Sequence, residues 1–499
     1  MIKIIKFSRL MVFLILLSTI VSFAVCIINI RNYVSSYINL WILPLSFFFT
    51  FFLYYILLIM RKEIKLTILV VILYSWLRCV LIPLISSIAG IYTNIGLFVM
   101  SNYVSTQKAI LLMAFEQIII CLFLFLYIHF YSYKEKKIII GVDKNVKLMG
   151  NKLLYFILII ISVTLLITVG LRENLFSFLI ITLDGSGRRG DLTVFDMRAT
   201  AQIIITGILF LFFIVVEFSR KHYVNSKKIT YVNIALLTSL LLISLIVGER
   251  RTRQLFTAFS AIWLLIRVFP KHWKRIVLTI SSMTLIVLVF MSIYKHFYTF
   301  NFSSYTAAAS ESNLNIYDFA FTLEKYFMGP GLVASNIGYT DIAEITKSTF
   351  VYDFIRNIFG FSFIFKEISF TTSELYNLTI YLGRQTTGHL ISSLGYGYIY
   401  FGALLSPLFS LFNIFIALKI EFWLRRRKSI EMNYLFGYVY MRYAFGIFSN
   451  PIPLINLVSR ELLINGLIFL IALYIQRLFV QAYPKKRFNS QRQWGLREV

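Results

Sequence analysis

The sequence predicts an all-α polytopic membrane protein: about 12 transmembrane helices, with one large outer loop containing short helices. Three observations predict it. Hydrophobic residues make up 59% of the 499 residues and charged residues only 14%, against about 25% charged in a soluble domain. Apolar runs of 18 or more residues recur along the whole chain, long enough to cross a bilayer as helix. Lys and Arg collect in alternate gaps between those runs, which is the positive-inside pattern. A soluble globule is excluded, because a water-exposed fold cannot hide so much apolar surface.

Helices are expected at about 10–30, 40–60, 66–88, 109–131, 152–170, 202–219, 230–248, 254–269, 276–294, 396–418, 433–450 and 455–479. The first has a basic start and no small-residue cleavage site behind it, so it reads as a retained helix rather than a signal peptide. With a cytoplasmic N-terminus every second gap is cytoplasmic, and seven basic clusters fall in phase. They are Lys3/Lys6/Arg9, Arg61/Lys62/Lys65, Lys134/Lys136/Lys137/Lys144/Lys147 and Arg220/Lys221/Lys227/Lys228, then Lys271/Lys274/Arg275, Arg425/Arg426/Arg427/Lys428 and the tail from Lys485 to Arg497. The expected division is membrane helices 1–5 over 1–170, a first long outer loop over 171–201, and helices 6–9 over 202–294. A large outer loop follows over 295–395, then helices 10–12 over 396–479 and a basic cytoplasmic tail over 480–499. Both termini are expected in the cytoplasm, and the protein in the inner (cytoplasmic) membrane.

The net charge of +27 is mostly this topology signal, not a nucleic-acid surface. Cys26, Cys79 and Cys121 all fall inside apolar runs and suit neither a zinc site nor a disulfide framework. In the large loop, 353–368 places Phe354, Ile358, Phe361 and Phe365 on one helical face, as in a helix that lies on the membrane surface or caps a cavity. Gly329-Pro330-Gly331 is a turn signal.

The informative charges lie outside the cytoplasmic clusters. They are Arg31, Arg172, Arg188, Arg189, Arg198, Arg250, Arg251, Arg253, Arg356, Arg384, Arg442 and Arg460, with Lys108, Lys295, Lys325, Lys347 and Lys366. That is twelve Arg to five Lys, against twelve Arg to nineteen Lys on the cytoplasmic side. Topology does not select Arg over Lys. Phosphate recognition does, because the guanidinium is planar, always charged and bidentate. The alternative for any single one is snorkelling to headgroups.

Three constellations stand out. Asp184-Gly-Ser-Gly-Arg-Arg-Gly-Asp191 contains Gly185-x-Gly187-x-x-Gly190. The dinucleotide fingerprint needs a βαβ unit around it, and this one lies in an outer loop. A glycine-rich loop bearing Arg188 and Arg189 can still wrap an anion; a flexible turn is the alternative. Gly248-Glu-Arg-Arg-Thr-Arg-Gln254 is a short outer turn with Arg250, Arg251 and Arg253 against the positive-inside bias. Arginines beside a helix N-terminus make an anion site, and Glu249 can orient one of them. Third, Arg384-Gln-Thr-Thr-Gly-His389-Leu-Ile-Ser-Ser-Leu-Gly395 precedes a helix. A histidine there can accept a proton from a hydroxyl nucleophile, or be a hydrogen-bonded loop histidine.

Taken together, these features resemble the O-antigen polymerase and O-antigen ligase families. The resemblance covers most of the chain: ten to fourteen spans, one large late outer loop, and outer-loop arginines. The ligase-like small-residue/Ser-Arg-Gly turn is similar to Gly248-Glu-Arg-Arg-Thr-Arg at the arginine, without the serine and the following glycine. The ligase-like His-Asn before a Gly–aromatic–Gly helix is similar to His389-Leu-Ile-Ser-Ser-Leu-Gly-Tyr-Gly397 at the histidine and glycines, with Leu390 in place of the asparagine. The resemblance implies a glycosyltransferase that joins oligosaccharide repeat units carried on undecaprenyl diphosphate into O-antigen or capsular polysaccharide. It implies a flippase and a chain-length regulator as neighbours, with membrane lipid around it and no nucleic acid. No cofactor is expected, since a lipid-diphosphate donor requires no nucleotide site and no metal motif is apparent. The expected diphosphate ligands are Arg188, Arg189, Arg250, Arg251, Arg253 and Arg384, with His389 as the acceptor base. The rival readings are a lipid-linked oligosaccharide flippase, which should show two similar halves and short loops, an O-antigen ligase, and a non-catalytic membrane scaffold.

Overall fold

The computed structural model describes residues 9–31, 35–59, 65–91, 100–135, 146–169, 195–245, 251–299, 316–343, 346–365, 370–386 and 388–482. Among them every regular element is helical. The first half holds α1 (Arg9–Arg31), α2 (Ile42–Ile59), α3 (Leu66–Trp76), α4 (Ile82–Ile88), α5 (Tyr103–Glu135) and α6 (Lys152–Thr168). Then come α7 (Phe195–Ser226), α8 (Thr230–Ser244), α9 (Arg251–Val268) and α10 (Trp273–Thr299). The predicted outer loop carries α11 (Ile316–Tyr326), α12 (Pro330–Gly338), α13 (Lys347–Asn357), α14 (Phe361–Phe365) and α15 (Thr372–Ile380). The chain closes with α16 (Ser393–Leu405), α17 (Leu408–Arg426), α18 (Ile430–Phe445), α19 (Pro451–Glu461) and α20 (Leu467–Ala482).

Among the described residues five helices are long and apolar enough to cross a membrane: Leu66–Ile88, Tyr103–Phe130, Ala199–Ser226, Pro270–Val289 and Pro451–Phe479. They mark a membrane protein. A bent pair, α16 with α17, makes a sixth if it counts as one span. A helix stands at each of the twelve predicted places, but Val12–Ile28, Ile42–Tyr55, Lys152–Thr168 and Thr230–Ser244 are shorter apolar helices. α5 shows why these helices face lipid. Leu111, Ile118, Leu122 and Phe125 are exposed along one side, while Ile110, Met113, Ile120 and Leu124 are buried on the other. Both sides are apolar, which suits a helix with protein on one side and hydrocarbon on the other.

The two ends of the bundle differ. At the basic end Lys147 N donates to Lys428 O (2.9 Å), Arg267 Nη1 donates to Leu424 O (2.6 Å), and the Tyr223 hydroxyl meets His272 Nε2 at 2.9 Å. Three carboxylates staple this end. Glu421 accepts from the N–H groups of Leu66 and Thr67 at 2.8 and 2.9 Å, capping α3. Glu431 accepts from Met149 and Gly150, and Glu217 from Leu148. At the opposite end, here called the loop end, Ser393 N donates to Phe448 O (2.8 Å) and Asn450 N to Ile391 O (3.3 Å).

Three sequence expectations change. First, the helix expected at 396–418 is not continuous. α16 and α17 meet at 108°, because Gly402 takes φ +68° and Pro407 cannot supply a helical N–H donor. Second, the helix expected over 353–368 ends at Asn357; Ile358 is extended, and Gly360 sits at φ +99° before α14 begins. Phe354 turns inward, its ring tilted against Phe409 at 6.5 Å, so it does not share an outer face with Ile358 and Phe361. Third, the large loop is not simply an outer excursion. Gly329 and Pro330 start α12 at its N-cap and first positions, and all nine residues of α12 are buried. Small residues allow that insertion. A Cβ on Gly338 would collide with the Met100 carbonyl, and one on Gly395 with Asn336.

Inside the bundle a π turn, Leu77–Leu81, joins α3 to α4. It places Arg78, only 1% exposed, so that Nε donates to Met328 O (2.8 Å) and Nη1 to Glu116. The guanidinium lies over the Phe448 ring, 4.3 Å from its centroid. Glu116 also accepts from Ser410, and Ser410 is bonded to Ser393 (2.6 Å). One buried ion pair thus joins α3–α4, α5, the loop and both halves of the bent span.

Candidate functional site at the loop end

α9 starts at the loop end, which brings Arg253 into its first turn. Arg253 Nη2 lies 3.5 Å from Gln202 Oε1 and 4.0 Å from Glu461 Oε1. Glu461 ends α19, and a second π turn, Leu462–Gly466, follows it directly. That turn aims Asn465 back, so that Asn465 Nδ2 donates to Glu461 Oε2 (2.7 Å) and Asn465 Oδ1 accepts from Thr206 (3.2 Å). Arg460 Nη2 also stands 4.0 Å from Glu461 Oε1. Arg253, Glu461, Asn465, Thr257, Tyr434 and Tyr438 line one crevice with Ile205, Leu209, Leu242 and Leu245.

Arg442, near the end of α18, adjoins the crevice through Tyr438. Its Nη2 donates to the Tyr438 hydroxyl (2.6 Å), and its guanidinium lies over Phe256 at 4.2 Å and Tyr438 at 5.1 Å. Arg442 Nε is buried without a hydrogen-bond partner among the described residues. Two guanidiniums, Arg253 and Arg460, therefore stand 4.0 Å from one carboxylate, too long for tight pairs, and a third, Arg442, stands beside them on Tyr438, which lines the same crevice. Arg253 also lies at a helix N-terminus, where the backbone dipole adds positive potential. Such a site favours an incoming anion with several oxygens, held by charge-assisted hydrogen bonds.

The other sequence candidates fall elsewhere. Arg188, Arg189 and Arg250 lie outside the described residues, and Arg251 opens α9. Arg384 is exposed on the turn after α15, its N–H donating to Tyr381 O (3.1 Å). His389 is pinned by its backbone: its N–H donates to Asn377 Oδ1 (2.7 Å) and its carbonyl accepts from Asn377 Nδ2 (3.1 Å). Gly388, at φ +137°, lies where a Cβ would strike the Tyr381 hydroxyl, and the His389 ring sits 5.3 Å from that of Tyr381. Partial burial, then the charge of Lys325, hold the imidazole below its ordinary pKa. It is thus neutral near pH 7 and able to take a proton. Among the described residues no contact joins His389 or Arg384 to the Arg253 group.

Sequence reasoning set Arg442 and Arg460 apart as outward arginines, but it did not join them to Arg253 or find Glu461. The available signal was an acidic residue inside an apolar run, which is rare without a role. It also missed Asp353, buried on the inner side of α13. Asp353 accepts from Thr372 N (3.0 Å), Thr372 Oγ1 (2.5 Å) and the Tyr396 hydroxyl (2.8 Å), while Arg356 pairs with Glu374. Glu374 in turn forms a capping box with Thr371.

Burial raises the Asp353 pKa above 3.8, against the opposing hydrogen bonds from Thr372 and Tyr396. The contribution of this group to docking is therefore fully present below that ordinary value and is lost as pH rises through the raised one. Asp353→Asn is expected to keep α13 docked and to remove this pH dependence. Asp353→Ala strands the Thr372 and Tyr396 donors at about 1–3 kcal/mol. Hydrogen exchange over 347–357 checks both, with faster exchange expected only in the alanine variant.

Among the described residues no three His, Cys, Asp or Glu side chains converge to hold a metal ion. The chain matches no protein-family model, no curated protein and no solved structure.

Proposed function

We propose that this chain is a polymerase of lipid-linked glycans. It joins oligosaccharide repeat units carried on undecaprenyl diphosphate into O-antigen or capsular polysaccharide on the outer face of the cytoplasmic membrane. The observation that carries the reading is the pairing of Arg253 and Arg460 with Glu461 in a crevice at the loop end, with Arg442 held on Tyr438 of the same crevice. In this reading the basic end and both termini face the cytoplasm. The loop end then faces outward, where lipid-linked units are joined.

The reaction needs little more than such a site. The acceptor hydroxyl oxygen bonds to the anomeric carbon of the growing glycan. The bond from that carbon to the diphosphate oxygen breaks, and the electron pair leaves with undecaprenyl diphosphate. The hydroxyl proton goes to the neutral imidazole of His389. Charge grows on the leaving diphosphate, so preorganised guanidiniums lower the barrier. Glu461 holds the arginines apart until the diphosphate arrives. Arg188, Arg189, Arg250, Arg251 and Arg384 are further ligands in this scheme.

Deleting the gene and running surface glycan on a gel tests the function. A product of one repeat unit supports a polymerase. Repeat units trapped on the inner face would indicate a flippase, and polymer stranded on undecaprenyl diphosphate a ligase. His389→Ala is expected to slow polymerisation about 10²–10⁴-fold, the usual share of a general base. In the unaltered protein, kcat/KM is expected to stay flat near neutral pH and to fall only in acid, once the imidazole is protonated below its ordinary pKa. A His389→Ala protein with unchanged turnover removes it as the base.

A further inference from the structure

Away from the arginines, an apolar slot of about 410 Å³ opens on the side of the bundle where the span bends. Its walls are Phe123 of α5, Phe354 of α13, and Leu408, Phe409, Phe412 and Phe415 of α17. No polar side chain lines it. From Leu408 to Phe415 the slot follows α17 for about 10 Å, at 1.5 Å per residue.

What surrounds the slot is legible in the elements that roof it. Beyond its exposed first residue, Lys347, α13 turns its charged residues inward, with Asp353 only 1% exposed and Arg356 also buried. It turns Val351, 56% exposed, outward with Ile355. α14 does the same with Phe361 and with Ile364, which is 68% exposed. In water this polarity is the wrong way round. It fits a helical hairpin whose outer medium is hydrocarbon. The apolar face continues without a step through exposed Phe401, Leu404, Leu405, Leu408 and Phe412 of the bent span, and the slot opens onto that face.

We propose that the slot is a binding site for the hydrocarbon chain of a membrane lipid. The chain slides in sideways from the bilayer beneath the α13–α14 hairpin, which itself lies in the bilayer with its apolar face toward lipid. Phe354 forms the roof, held by the inward anchoring of Asp353 and Arg356 on the same helix. This goes beyond the glycan chemistry and does not depend on it.

The test uses the full chain reconstituted in lipid nanodiscs. One arm carries a phospholipid with a diazirine in its acyl chain, the other a polyprenyl phosphate with a diazirine in its chain. After irradiation, adducts are mapped by mass spectrometry. They are expected to concentrate on 408–415 and on Phe354 in at least one arm, and the stronger arm identifies the lipid. Leu411→Trp, which fills the slot, is expected to cut those adducts at least five-fold while leaving adducts on Leu111 and Leu122 unchanged. Slot adducts no denser than those on α5, or indifferent to the filler, overturn the proposal.

A second measurement needs no change inside the slot. Val351→Cys and Ile364→Cys are expected to resist a charged thiol reagent that labels Leu382→Cys, a position 86% exposed on a neighbouring turn. The native cysteines are buried and add little background. Equal labelling at all three positions, or disulfide-linked dimers through 351 or 364, shows that water or a second copy covers the hairpin, and overturns its place in the bilayer.

Discussion

Arg442→Ala is expected to abolish long-chain glycan while the protein still inserts, with turnover down about 10²–10³-fold, the usual cost of one preorganised donor at a developing anion. Arg442 is the sharpest choice because Phe256 and Tyr438 fix its guanidinium and its Nε is unpartnered among the described residues. Arg442→Lys separates charge from shape. A lysine keeps the positive charge but can neither stack its planar group on Phe256 nor chelate two oxygens, so it should recover only part of the activity. Adding Arg253→Ala should lower the remainder further. Repeat-unit length on a gel, read beside protein abundance in the membrane, decides the matter. Normal polymer from the Arg442→Ala protein removes the arginine group as the diphosphate site.

The second large effect is on stability. Glu116→Ala leaves Arg78 charged, buried and without its carboxylate, and removing one partner of a buried pair costs about 3–5 kcal/mol. It also releases Ser410 beside the bend of the span. The expected result is a protein that unfolds at distinctly lower temperature in detergent or fails to accumulate. Replacing both partners, as in Arg78→Met with Glu116→Leu, should recover much of the loss, because no isolated charge remains. A single variant as stable as the double one would show that the pair contributes little.

Much of the fold was legible because membrane helices announce themselves by composition. A helix stands at each predicted place, since the apolar runs and the basic gaps between them are properties of local sequence. What was not legible was geometry set by contact. The bend between α16 and α17 depends on Gly402 and Pro407 inside an otherwise unbroken apolar run. α12 is too short to read as a membrane element, and its burial depends on Gly338 and Gly395 allowing other chain segments close. The stripe over 353–368 was not continuous, because the helix ends at Asn357 and Gly360 takes φ +99°, which parts Phe354 from Ile358 and Phe361. The candidate site was half legible. The excess of Arg over Lys picked out Arg253, Arg442 and Arg460, and only packing brings Arg253 and Arg460, 207 positions apart, onto one carboxylate with Arg442 beside the same crevice. Glu461 drew no notice because one acidic residue has no period.

Arg78 and Glu461 share a setting: one lies within a π turn, and the other immediately precedes one. A π turn carries one residue more than the α turn it replaces. Taking that residue out of Leu462–Gly466 would leave the two flanking helices almost as long as before, but would turn one against the other by about 100°. The carboxylate would swing off the arginines while the apolar length of the span hardly changed. Loss of a single codon there is therefore a rotation rather than a shortening, invisible to hydropathy and decisive for which side chains meet.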